Sequence, residues 1–267
     1  VSTIECRTQE WKLMANSVWR LIPLLSASGA VQMAVDEWLL EKHRAGKQPP
    51  TLRFYTWQPA AISLGYHQRR WPPFWQQLSW QGMAVDLVRR PSGGRAVLHQ
   101  GDLTYAVVAS GFAGSRMAVY QTICEFSIEG WRALGLELHY GEAGKSYIHN
   151  PNCFGTATGA DLVTPDGCKF IGSAQLRRGN AILQHGSMRL RPDVDLFSQV
   201  FGEQLVPVNL PFLAEENDVI EIAIEALTAA ACRCFEIDLE VRALSEEEWQ
   251  DIEIFTRKIS QELTVDS

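Results

Sequence analysis

The chain has 267 residues, 46% hydrophobic and 21% charged, with nine tryptophans: enough apolar material for a sizeable core, and not the composition of a disordered chain. Its net charge of −7 and pI near 5.4 exclude the concentrated Lys and Arg surface that nonspecific nucleic-acid binding needs. No apolar run reaches the length of a membrane span, and Val18 to Leu25 is short and interrupted by Arg20 and Pro23, so neither secretion nor membrane insertion is expected. The six cysteines form no CxxC pair and no regular framework, which predicts reduced thiols in the cytoplasm.

In chain order, residues 1–13 read as an N-terminal extension. Val31, Ala34, Val35, Trp38 and Leu39 recur at helical spacing, predicting a buried amphipathic helix from Val31 to His43 that Gly46 terminates. Short β-rich runs follow at Leu52–Trp57, Ala61–Leu64, Ala84–Val88, Arg95–His99 and Leu103–Ala109, and they read as one largely antiparallel or mixed sheet. A helix from Met117 to Leu134 ends at Gly135, before a strand from Leu136 to Tyr140. Gly141 to Gly159 is polar and rich in small residues, a long loop of the kind that usually carries function. Asp166-Gly167 and Gly179-Asn180 then mark hairpin turns between Leu162-Val163, Cys168–Leu176 and Ala181–Leu190. The tail predicts a helix at Asn217–Cys234, where Cys232 and Cys234 serve packing, a strand at Glu236–Val241 and a helix at Ser245–Glu262 opened by Ser245-x-x-Glu248. The expected organisation is an α+β catalytic domain over 14–210, with a mixed, largely antiparallel sheet flanked by helices, and a small appendage over 211–267.

Three stretches can carry chemistry. Arg89-Arg90-Pro91-Ser92-Gly93-Gly94-Arg95-Ala96-Val97-Leu98-His99 sets a glycine pair between two strands, where backbone can approach a ligand and the arginines can hold an anionic or carbonyl-bearing group. A tight turn with exposed arginines fits the same spacing equally well. In Lys169-Phe170-Ile171-Gly172-Ser173-Ala174-Gln175 a lysine opens a strand with small residues behind it; it is either an ordinary surface lysine or a group that binds a substrate carbonyl or moves a proton. Cys153 lies in the polar loop, where a thiol can be exposed and reactive, although isolated cysteines are more often small buried hydrophobes. Cys168, directly after a hairpin turn, is its rival. His67, His99 and His185 are too scattered for a metal motif, and His99 is the one expected to line a site.

Together these segments resemble the octanoyl-[acyl carrier protein]:protein octanoyltransferases of the biotin/lipoate protein ligase superfamily. The likeness runs through Gln32–Glu37, Arg53–Trp57, Ser63–Tyr66 with Gln68-Arg69, Arg89–His99, Leu103–Tyr105, Cys153-Phe154, Lys169–Gln175 and Ile182–Ser187. The resemblance implies an acyl tunnel bordered by Arg90, Ser92, Gly93, Gly94, His99, Gly172, Ser173 and Ala174, with Cys153 and Lys169 as catalytic residues. It implies octanoyl-acyl carrier protein as donor and a lysine of a lipoyl domain as acceptor, in the glycine cleavage H protein or a 2-oxoacid dehydrogenase E2 component, with no cofactor, no metal, no nucleic acid and no membrane. An acidic carrier protein would suit a basic patch at Arg69, Arg70, Arg177 or Arg178. The alternatives are an ATP-dependent lipoate–protein ligase, an amidotransferase between lipoyl domains, and a non-catalytic carrier-binding relative. Arg95, standing where ligases carry a third glycine, and the spacing of Cys153 ahead of Lys169 favour the carrier-dependent enzyme. Gly155 to Ala160 departs from the family's usual Pro-Ser and aromatic after the cysteine.

Overall fold

The computed structural model describes residues 17–141, 161–211 and 216–265; the proposed extension 1–13, Cys6 and Cys153 lie outside them. The described chain opens with β1 (Ser17–Ala27) and α1 (Gly29–Arg44), then passes through β2 (Thr51–Trp57) and β3 (Ala61–Leu64). A 3-10 turn at Pro73–Gln77 precedes β4 (Ser79–Trp80), β5 (Met83–Ala84), β6 (Asp86–Arg89), β7 (Val97–His99) and β8 (Asp102–Ala109). After α2 (Arg116–Ala133) come β9 (His139–Tyr140), β10 (Asp161–Val163), β11 (Lys169–Arg178) and β12 (Ala181–Arg189). The last elements are α3 (Val194–Phe201), α4 (Glu216–Phe235), β13 (Ile237–Val241) and α5 (Glu246–Val265).

The principal sheet has eight strands in the order β13-β1-β2-β8-β12-β11-β10-β9. Pairing is parallel at β13-β1 and β1-β2 and antiparallel across the rest, the mixed, largely antiparallel α+β arrangement predicted from the sequence. Alternation along the strands supplies two cores. Leu52 and Phe54 of β2 and Leu103, Tyr105 and Val107 of β8 pack under α2 and α4. Tyr55, Trp57, Ala106 and Val108 point the other way, against α1 and α5. No helix among the described residues is long and apolar enough to cross a membrane.

The single sheet expected from the runs between Leu52 and Ala109 is divided. β2 and β8 join the principal sheet, whereas β3 pairs with β6 and β7 in a separate three-stranded sheet. The small sheet can stand apart because both of its faces are covered. Ala61 and Val88 pack with α1, and Ile62, Leu64 and Val97 pack with Trp75 and with Leu196, Phe197 and Val200 of α3. Among the elements with no counterpart in the sequence reading are β1 and α3. β1 carries a buried arginine and a proline, and Pro23 falls at the register shift between Ile22 and Leu25, where a missing N–H is tolerated. α3 is only eight residues long, capped by Asp193, whose side chain accepts from the Leu196 amide at 2.8 Å, and closed by Gly202.

The C-terminal helix, strand and helix pack on the sheet's own cores, and β13 extends the principal sheet beyond β1. Arg20, 1% exposed, fastens this end: its guanidinium donates to the Arg242 and Ala243 carbonyls at 2.9 and 2.6 Å and to both Glu248 oxygens at 2.8 Å. The capping box is formed, with the Glu248 amide on Ser245 Oγ at 3.2 Å and the Ser245 amide on Glu248 Oε2 at 2.9 Å. Burial pulls the Glu248 carboxyl upward, but the Arg20 and Ser245 hydrogen bonds outweigh it and hold the group below its ordinary pKa.

Candidate active site

The two sheets enclose a cavity of about 420 Å³. β3, the following loop and β7 supply Ser63, Gly93, Gly94, Val97 and His99, and β11 supplies Gly172, Ser173, Ala174 and Gln175. β12 adds His185, Gly186 and Ser187, and β2 with α1 adds Tyr55, Trp57 and Met33. Of the residues named from the sequence, Arg90, Gly93, Gly94, His99, Gly172, Ser173 and Ala174 line this space. Ser92 and Lys169 stand directly behind the wall.

The glycine pair has two different jobs. Gly94 has φ +99°, and a Cβ there would lie 2.7 Å from Arg90 Nη2. Its carbonyl is so close to β3's continuation that a Cβ on Gly65 would fall 1.8 Å from it. Gly93 meets nothing within 4 Å and leaves open the space into which a ligand fits. The arginines are loop clamps rather than exposed turn residues. Arg90, 5% exposed, donates to the carbonyls of Ser63, Gly93 and Arg95 at 2.8, 2.9 and 2.7 Å, while Arg89 donates to those of Gly65 and Gln68 at 3.1 and 2.6 Å.

Two buried Asp–His–Ser chains flank the cavity. In the first, Asp102 Oδ2 lies 2.8 Å from His99 Nδ1, and His99 Nε2 lies 2.9 Å from Ser63 Oγ. Thr104 and Ser187 hydroxyls also donate to Asp102 Oδ2 at 3.1 and 2.6 Å, and the His99 ring stacks on Trp57 with centroids 3.8 Å apart. Burial pushes the His99 pKa down, and the opposing pull of Asp102 does not restore it, so the ring is neutral at pH 7. In the second chain, His185 Nδ1 is 2.8 Å from Asp36 Oδ2 and His185 Nε2 is 2.5 Å from Ser92 Oγ. Tyr55 donates to the same Asp36 oxygen at 3.0 Å, and Arg53 stands 3.6 Å from the other. Thus α1, β12 and the glycine loop are tied together through one imidazole.

Lys169 is buried and paired with Asp161, Nζ to Oδ1 2.8 Å, and Asp161 lines the cavity. The Gly141 amide donates to the Asp161 carbonyl at 2.9 Å. Cys124, Cys168, Cys232 and Cys234 are the cysteines among the described residues, and none lines the cavity. Burial drives the Cys124 thiol up to about 12, and Cys168 Sγ points at the Val206 carbonyl, 3.5 Å away.

The match to known proteins decides the relationship. Residues 28–236 match the sequence model of the lipoyl protein ligase A/B catalytic domain. The chain belongs to this family. Octanoyltransferase LipM of Anoxybacillus flavithermus is 38% identical over 202 residues, covering 70% of this chain and 71% of the relative. Octanoyltransferase LipM of Brevibacillus brevis is 34% identical over 256 residues, covering 86% and 91%. Among solved structures, lipoate-protein ligase A bound with ATP superposes with a TM-score of 0.70 at 26% identity, covering 91% of this chain and 95% of that one.

Within this family framework, the sequence reading gave no site role to Ser63, Asp102, Asp36 or Asp161 and gave His185 only a general structural or substrate-contacting one. Asp102 was signalled only by its place three residues after His99, across the turn from β7 to β8. Asp36 was read as part of a helix, with no hint of the ring it meets on a strand far along the chain. The suggested basic patch is altered: Arg178 is consumed by Glu37 and Glu41 at 2.9 and 2.5 Å and Arg177 donates to Gln175 at 3.1 Å, whereas Arg69 and Arg70 are exposed.

Proposed function

We propose that this chain is a cytoplasmic octanoyltransferase that takes an octanoyl group from octanoyl-acyl carrier protein onto Cys153 as a thioester and delivers it to a lysine of a lipoyl domain, in the glycine cleavage H protein or a 2-oxoacid dehydrogenase E2 component. The observation that carries the reading is the family relationship, in which the sequence relatives are octanoyltransferases. The distribution of thiols supports Cys153: the cysteines of the described residues stand outside the cavity.

The chemistry is balanced without nucleotide. Exchange of one thioester for another costs little, and attack of an amine on a thioester is downhill to an amide, so a cysteine splits one transfer into two accessible steps. Lys169, held by Asp161 directly behind the cavity wall, is the group assigned to act on the thioester carbonyl, and Gly93, Gly94, Gly172 and Ala174 keep the walls free of bulk where the acyl group enters. Ser92 holds the glycine loop through His185, and Arg90 does so through the loop carbonyls.

ATP dependence separates this reading from that of a ligase. Octanoylation of an apo lipoyl domain, followed by mass spectrometry in nucleotide-free buffer, is expected to proceed from octanoyl-acyl carrier protein at a rate that added ATP does not change. Modification seen only with free octanoate and ATP would overturn the reading.

A further inference from the structure

The chain Asp102–His99–Ser63 has a property its counterpart lacks: both serines are buried, but Ser63 is among the residues that line the cavity and Ser92 is not. The proton positions follow from the partners. Asp102 Oδ2 is a carboxylate oxygen that only accepts, so His99 Nδ1 carries the hydrogen directed at it. The neutral ring therefore presents a lone pair at Nε2, and the Ser63 hydroxyl donates to it across 2.9 Å. Arg90 Nη1 donates to Ser63 Oγ from the other side at 3.2 Å, which fixes the hydroxyl's direction. Among the described residues, the groups facing His99 are Asp102 and Ser63 on its nitrogens, Trp57 on its face, Thr104 and Ser187 behind Asp102, and the Arg90 guanidinium, whose charge opposes protonation of the ring.

We propose that Ser63 and His99 form a proton relay that removes the proton from the acceptor amine during amide formation, with Asp102 as the positioning residue. The proposal rests on the thioester reading given above. When a lysine amine adds to the thioester carbonyl, a C–N bond forms and the nitrogen carries an extra proton. Until that proton leaves, the amine is expelled more readily than the thiolate. Ser63 Oγ accepts it while passing its own hydrogen to His99 Nε2, and Asp102 stabilises the resulting imidazolium. The C–S bond then breaks, the relay returns the proton to the departing sulfur, and amide and thiol are left. The first half-reaction makes no such demand, because a thiol near an ordinary pKa of about 8.5 ionises far more readily than an ammonium near about 10.4.

The test separates the half-reactions. Wild type, Ser63→Ala, Ser63→Thr and His99→Gln are charged with octanoyl-acyl carrier protein, freed of donor and mixed with excess apo lipoyl domain between about pH 5 and pH 9, while bound octanoyl is followed by intact mass. Transfer is read per charged enzyme, so differences in charging among the variants drop out. Transfer should fall about 10²-fold or more in Ser63→Ala and His99→Gln and stay within about threefold in Ser63→Thr, which keeps the hydroxyl. Undiminished transfer per charged enzyme in Ser63→Ala or in His99→Gln overturns the relay and leaves the thioester reading intact. An octanoyl ester found on Ser63 also overturns it. Failure of wild type to charge sinks the thioester reading itself, and the relay with it.

Discussion

Replacement of Asp36 by alanine is expected to lower the unfolding free energy by about 3–5 kcal/mol, the usual consequence of removing one partner of a buried charge pair. Asp36 is fully buried, and its loss strands Arg53, itself 1% exposed and 3.6 Å from Asp36 Oδ1. Arg53 keeps a hydrogen bond to Gln32 and its place over the Tyr55 ring, but neither neutralises the guanidinium. The same change takes away the acceptor of Tyr55 and the partner of His185 Nδ1, so the tether to Ser92 loosens too. Denaturant titration would show a lower midpoint at an unchanged slope. A loss below about 1 kcal/mol would mean that the Asp36 network is not what holds α1 to β12.

Gly65→Ala is expected to do comparable damage by a different route. Its Cβ would sit 1.8 Å from the Gly94 carbonyl oxygen, backbone against backbone, so a whole loop must move instead of one side chain rotating. Overpacking of this kind costs about 1–3 kcal/mol or more. Displacing the loop by about 1 Å shifts Gly93 and Gly94 from the cavity wall and should reduce kcat/KM by about 10²-fold. Gly93→Ala is the control: with nothing within 4 Å of its Cβ, its stability should stay within about 0.5 kcal/mol of the parent, by thermal or chemical denaturation. Equal losses at Gly65 and Gly93 would contradict this division of labour.

The contrast between those glycines shows what the sequence could disclose. Gly-Gly between two strands announces a place where backbone must come close to something, and it does. Only the fold shows that Gly94 meets Arg90 and Gly65, while Gly93 alone faces the empty space. Local signals were read well wherever periodicity and turn residues agreed, as in α1, the β11 and β12 hairpin and the Ser245–Glu248 capping box. β1 escaped because a buried Arg20 and a Pro23 break its alternation; the first is explained by its partners at the C-terminal end, the second by the register shift against β2. The division into two sheets escaped for a related reason: short buried runs such as β3 carry no mark of which neighbours they pair with. The Asp–His–Ser chains were invisible for the same physical cause. Asp36 and His185 come from elements far apart in sequence, and the tautomer that gives Ser63 its direction exists only once Asp102 has taken His99 Nδ1.

The most direct test of the central claim is intact mass after incubation with octanoyl-acyl carrier protein in the absence of ATP, comparing wild type, Cys153→Ala and Cys168→Ala. A single octanoyl increment on wild type and Cys168→Ala, lost in Cys153→Ala and discharged by an apo lipoyl domain, is the predicted result. An increment that persists in Cys153→Ala, or none on wild type, would contradict a cysteine thioester at this position.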